Sequence, residues 1–267
     1  MNLNYIDAHA HLNFNAFDND RKEVINALRT DGGGAINIGV DVETSAASIK
    51  LAEEHEHIWP SVGCHPTAAN EDFNIDRYRD LIEKNEDSIV AVGECGLDYF
   101  RSANRDDENK KLQREVFEAQ VKLAIKKDLP LILHMRPREG SMDAYEEGLD
   151  ILEYYSKNGG KNLRGTAHFF VGDDEIAARF LDINFHISVT GVITFDDSLR
   201  ATISSLPTDR LLVETDAPFA APVPHRGERN SPLYVPDIIS ALAEEKGIHQ
   251  DELAVQIVSN TQRLFSL

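Results

Sequence analysis

The chain is poor in cysteine, poor in basic residues and without long apolar runs. Two cysteines, Cys64 and Cys95, stand among 267 residues. That excludes a disulfide framework and fits a reducing compartment, with both thiols read as buried packing. No apolar run approaches the roughly 20 residues that cross a bilayer. The N-terminus lacks a basic-then-apolar leader pattern, so the expected location is cytosolic. Lys and Arg number 27 against 46 Asp and Glu, a formal charge of −19. Such a surface repels polyanions at long range and counts against a grip on long duplex DNA. A nucleic-acid substrate would have to be held locally, by a metal or a few basic side chains. No glycine-rich phosphate loop follows the first apolar stretch, which argues against an open, doubly wound nucleotide-binding sheet. No repeat, low-complexity tract or linker divides the chain.

What is present is ordinary globular composition, 42% hydrophobic and 27% charged, on a length that allows a sizeable core. Short apolar stretches alternate with helical patterns. The first stretch, at 5–6, leads into Asp7-Ala-His-Ala-His11. Others lie at 35–40, 58–62, 89–92, 131–133, 163–167, 185–189 and 210–215. Between them, Asp18 is a good N-cap for a helix that Gly32-Gly33-Gly34 stops. Helices are expected at about 44–57, 75–85, 109–127, 143–157, 174–181 and 197–204, with two more at 236–246 and 251–264. The clearest is 109–127, where Leu112, Val116, Ala119 and Leu123 recur at helical spacing. Eight βα units in about 250 residues predict one α/β domain over residues 1–267, a (β/α)₈ TIM-like barrel. Its active site would lie at the C-terminal ends of the strands.

The polar residues fall where such a barrel needs them. His9 and His11 are two apart, so on a strand they share a face. Alone, that pair is a weak signal. Glu94 follows the fourth strand, His134 ends the fifth, His168 the sixth and Asp216 the eighth. In a barrel all six converge on one mouth. A lone histidine at a strand end is more often a core or loop residue, and Glu94 or Asp216 could simply cap a turn. Six coincidences at matching strand ends favour a metal site. Four imidazoles and two carboxylates can hold two divalent cations (Mg²⁺, Zn²⁺ or Mn²⁺), with one carboxylate bridging. Two such ions activate a water and clamp the attacking and leaving oxygens of a phosphoryl transfer. Asp216 would take the proton from that water.

Taken in order, these motifs resemble the TatD family of metal-dependent deoxyribonucleases, within the amidohydrolase superfamily. The resemblance runs through Asp7-Ala-His-Ala-His-Leu12, Gly63-Cys-His-Pro66, Gly93-Glu-Cys-Gly-Leu-Asp-Tyr99, His134-Met-Arg136 and His168-Phe-Phe170. It continues in Thr215-Asp-Ala-Pro218, His225-Arg-Gly227 and Asn260-Thr-Gln-Arg-Leu-Phe265. It implies that His9, His11 and Asp216 hold one metal, that Glu94 bridges to the second, and that His134 and His168 complete that second site. Catalysis would rest on Asp216 and Glu94. His65 would lie near the substrate phosphate, with Arg136, His225 and Arg226 in motif loops able to contact phosphate oxygens; Arg136 could instead bridge strand ends, and His225 and Arg226 could only fix their loop. The implied activity is divalent-dependent hydrolysis of DNA, commonly from the 3′ end and so on single strands or 3′ ends. Phe169, Met135 and Ala217 depart from the family pattern. They alter pocket walls without removing a ligand.

Many binuclear relatives bridge their metals with a carboxylated lysine after strand four. No lysine lies in 89–101, and Glu94 stands there instead, which leans toward the nuclease-like branch. Fold and metals alone do not fix the substrate. A metal-dependent hydrolase of a small amide, lactone or ester is the alternative, and a non-catalytic scaffold is disfavoured by the intact ligand set. Tyr99, Phe100, Phe169 and Phe170 are candidates to stack bases, although Phe169 and Phe170 suit packing beneath the loops equally well. The charged stretch 136–148 is a candidate lid or a solvated loop.

Overall fold

The computed structural model describes residues 3–101 and 106–267. Its eight strands are β1 (Tyr5–Ala10), β2 (Gly33–Asn37), β3 (Ile58–Val62), β4 (Ala91–Asp98), β5 (Leu131–Arg136), β6 (Gly165–His168), β7 (Phe185–Val189) and β8 (Leu211–Val213). They form one parallel sheet in chain order. Parallel strands covered on both faces need apolar side chains on both, and every residue of β1, β2, β4 and β7 is buried. The helices are α1 (Arg21–Thr30), α2 (Val42–Glu54), α3 (Ile75–Lys84), α4 (Asp107–Lys127), α5 (Asp143–Lys157), α6 (Asp174–Asp182), α7 (Asp197–Ser205), α8 (Val235–Lys246) and α9 (Gln250–Phe265). None is long and apolar enough to cross a membrane.

The sheet curls until β8 meets β1. The Asp216 N–H donates to the His9 carbonyl (2.9 Å) and the His11 N–H to the Ala217 carbonyl (2.8 Å). Below them a side chain replaces the ladder. The buried Asp7 carboxylate accepts from the Thr215 N–H (2.9 Å), from the Thr215 hydroxyl and from the His9 N–H (3.1 Å). A nearly closed barrel results, and its seam is tied directly beneath His9 and Asp216. At the start of β8, the Asn260 amide donates to the Thr208 and Leu211 carbonyls, both at 2.8 Å, and pins α9 under the strand.

Three expectations change. Asp18 does not cap α1. It lies in the preceding turn and accepts from the Arg21 guanidinium at 2.6 Å, while Asp20 precedes the helix. β4 runs on through the whole motif, so Glu94 lies inside the strand rather than after it. The pairing of β4 with β5 shifts between Val92 and Cys95, and this irregularity turns Glu94 toward the mouth. Gly93, at φ 149°, occupies backbone space that side chains rarely adopt. The segment 136–148 is no lid. It comprises the end of β5, a turn fastened by Arg138 to Asp143 (Nε–Oδ2 2.6 Å), and the start of α5.

The buried face of α4 contains two glutamines that apolar periodicity does not reveal. Gln120 accepts from the Cys64 N–H (2.7 Å) and donates to the Cys64 carbonyl (3.0 Å). Gln113 does the same for Asp98, at 2.8 and 3.2 Å. One helix thereby holds the backbone beside His65 and the end of β4 to a fixed height.

Candidate metal centre and active site

His9 and His11 project from the end of β1 with their Nε2 atoms 3.2 Å apart. Two imidazole nitrogens so close cannot both carry protons. Carboxylates face them. Glu94 Oε2 is 3.4 Å from His9 Nε2 and 3.8 Å from His11 Nε2. Asp216 Oδ1 is 3.7 and 3.4 Å from the same two atoms. Ligands about 2.1 Å from a tetrahedral ion stand about 3.4 Å from one another, so the spacing and chemistry of these donors fit a divalent cation. Burying lone pairs and carboxylates face to face without one is costly.

Glu94 is the hub. Its Oε1 lies 2.8 Å from His134 Nδ1, 3.5 Å from His65 Nε2 and 3.7 Å from His168 Nε2. Three donor sets arise, each with atoms within 4.8 Å of one another: His9, His11 and Glu94; His9, His168 and Asp216; and His65, Glu94 and His134. All six strand-end residues therefore come together. His168 faces both donor groups, its Nε2 3.7 Å from Glu94 Oε1 on the His134 side and 3.8 Å from Asp216 Oδ1. His168 stacks on His9 at 3.4 Å between ring centroids and falls with Asp216, while His65 joins Glu94 and meets His134 edge-on at 4.3 Å.

Charge is distributed unevenly. Burial and neighbouring His168 pull His9 down to about 3, and burial and His134 do the same to His65. Both are neutral donors near pH 7, as metal ligation requires. Burial also disfavours charge on Glu94, but His65 and His9 outweigh it and hold the carboxyl well below its usual range. Burial opposes protonation of His168 as well, yet the Glu214 carboxylate lifts it to about 10.

Sequence reasoning missed Glu214 and Asp98. Glu214 is fully buried. Its Oε1 lies 2.6 Å from His168 Nδ1 and accepts from the Phe169 N–H at 2.7 Å; its Oε2 accepts from Ser188 Oγ at 2.6 Å. It fixes the His168 ring so that Nε2 faces the cluster. On β4, Asp98 Oδ2 lies 3.5 Å from His134 Nε2. The signal for Glu214 is an acid inside the apolar stretch 210–215, two residues before Asp216. The sequence shows Gly63 only as part of the Gly63-Cys-His-Pro66 motif. A Cβ there would sit 2.8 Å from Glu94 N and would push the hub aside.

The cluster floors a cleft of about 660 Å³. His11, His65, Glu94, His134, His168 and Asp216 line it, and Arg136 lies on its wall over the Phe100 ring at 4.1 Å. His225 and Arg226 do not line it. His225 stacks on Tyr234 (3.7 Å) beside Asp237, and Arg226 covers Phe195 (3.9 Å). Of the stacking candidates, Tyr99 is 0% and Phe170 1% exposed, so neither reaches a ligand. The Tyr99 hydroxyl donates to Glu147, and Phe170 packs on Tyr145 and Phe180. Phe100 and Phe169 stay partly open. Cys64 and Cys95 are buried as expected.

A family model described as TatD related DNase matches residues 6–266. An uncharacterized metal-dependent hydrolase of Bacillus subtilis, YabD, is 34% identical over 264 residues, covering 98% of each chain. A Pantoea ananatis protein named 3′-5′ ssDNA/RNA exonuclease TatD is 32% identical over 273 residues, 98% of this chain and 99% of that one. The crystal structure of YjjV, a TatD homologue of Escherichia coli K12, superposes with a TM-score of 0.89 at 29% identity over 100% of both chains. With its donors gathered at the mouth of a parallel barrel, the chain belongs to the TatD family of metal-dependent hydrolases.

Proposed function

We propose that the protein hydrolyses the phosphodiester bonds of single-stranded DNA from the 3′ end, using two divalent ions held by His9, His11, His65, Glu94, His134, His168 and Asp216. The observation that carries this reading is the buried histidine–carboxylate cluster at the floor of an open cleft with Arg136 on its wall. The name of the Pantoea relative supports the choice of substrate. When bound, the ions activate a water and withdraw charge from a phosphate oxygen. The chain supplies the rest. Glu94 spans both donor groups and sets their separation. Asp216, whose Oδ1 lies within 3.8 Å of three imidazoles, faces the cleft and receives the proton of the attacking water. Glu214 keeps the His168 ring from turning. The number of imidazoles favours an ion such as Zn²⁺ over Mg²⁺, which prefers oxygen ligands and its own waters.

Chelator-treated protein is expected to lose at least about 100-fold of its activity on a 5′-labelled single strand and to regain it with Zn²⁺, Mn²⁺ or Mg²⁺. The label should shorten stepwise, and circular single-stranded DNA should stay intact. Cleavage of the circle would remove the 3′-end assignment. Turnover of lactones or amides without any phosphodiester hydrolysis would remove the nuclease.

A further inference from the structure

The mouth has two unlike sides. Arg101 follows β4 and Arg136 ends β5, on neighbouring strands whose ends are in register at Asp98 and Arg136. Both line the cleft. Among the described residues, Arg136 forms no ion pair and the Arg101 side chain pairs with Asp98 alone, at 3.8 Å. Phe14 follows β1 and Phe219 follows β8, at the seam. In a ring of eight strands that seam stands opposite the β4–β5 pair. Phe14 lies flat on His11 at 4.4 Å between centroids, and Phe219 meets Phe14 edge-on at 6.5 Å. Phe219 keeps 51% of its surface exposed although it lines the cleft. An exposed phenylalanine beside buried ligands, in a chain of formal charge −19, invites a flat uncharged ring.

We infer that Phe219, backed by Phe14, is the stacking platform for the base of the 3′-terminal nucleotide, and that Arg101 and Arg136 grip phosphates of the chain behind it. This rests on the nuclease reading. The scissile phosphate then lies over the histidine–carboxylate floor, the base of the departing nucleotide on the seam side and the remaining strand across the arginines. Two cations serve a few nucleotides, which suits attack at a chain end on so acidic a protein.

The test compares kcat/KM on two single-stranded oligonucleotides, one with an ordinary 3′ nucleotide and one whose 3′ residue is abasic. The wild type should favour the ordinary end by about tenfold. Phe219→Ala should erase that preference, lowering only the ordinary substrate, and Phe219→Trp should keep it. Arg136→Gln should weaken both substrates alike and flatten the salt dependence of KM by about 0.7 in log–log slope. Phe219 is exposed, so these variants should melt with the wild type. A wild type that does not hydrolyse either oligonucleotide overturns the nuclease reading and this inference together. A wild type that hydrolyses them but keeps its preference after Phe219→Ala overturns the inference alone.

Discussion

Glu94→Gln is expected to lower phosphodiester hydrolysis by at least about 10³-fold and to strip most of the bound divalent ion from the protein. Glu94 is 3% exposed and lies within 3.8 Å of five imidazoles, those of His9, His11, His65, His134 and His168. No other carboxylate of the cluster touches both the His9–His11 pair and the His65–His134 pair. Glutamine fills the same volume but brings no charge and only one accepting oxygen. Loss of the carboxylate therefore unlinks the two donor groups without opening a cavity. The variant should fold, and its metal content, measured by mass spectrometry, should fall with its activity. Full metal content beside lost activity would confine Glu94 to a later step. Unchanged activity would remove it from the site.

Asp7→Ala is expected to cost about 3–5 kcal/mol of stability. The Asp7 carboxylate is fully buried and accepts three donors, the Thr215 N–H, the Thr215 hydroxyl and the His9 N–H. Alanine leaves all three without a partner at the seam, where β1 and β8 are joined only by an isolated bridge at Ala10 and Ala217. Each buried donor left unpaired costs about 1–3 kcal/mol, partly recovered if water enters. His9 and Asp216 flank the damage on either side, so metal affinity should drop with stability. Urea unfolding at neutral pH checks the first part. A loss below about 1 kcal/mol would show that the seam closes without Asp7.

Both predictions concern residues whose types were visible in the sequence, but only one of the two roles was. Glu94 stands out because an acid follows the fourth apolar stretch, at a strand end that matches those of the histidines. In the sequence Asp7 is only the start of a histidine motif. Its partner Thr215 lies 208 residues away in the chain, and no local period can pair them. The same limit hid Glu214 and Asp98, which complete the site by touching histidines on other strands. Periodicity served α4 well for its extent, yet it marks apolar positions only. It passed over Gln113 and Gln120, whose buried amides clamp backbone rather than pack against it. The alternation of strand and helix made the barrel legible, since a parallel sheet buried on both faces must be written as short apolar runs. What alternation does not encode is how a strand bends. Alternation therefore puts Glu94 after β4 rather than within it, and Tyr99 at the mouth although it is buried just past the end of that strand. Exposure is a property of the closed ring, and the open faces of Phe14 and Phe219 could not be read from their neighbours in sequence.

The most direct test of the metal centre is a crystal of metal-replete protein measured on both sides of the Zn absorption edge, or at the Mn edge for Mn²⁺-loaded protein. Two anomalous peaks should appear in the cleft, both in contact with Glu94, one among His9, His11, His168 and Asp216 and the other beside His65 and His134. No peak within reach of Glu94, or a single ion bound elsewhere on the acidic surface, would contradict the account.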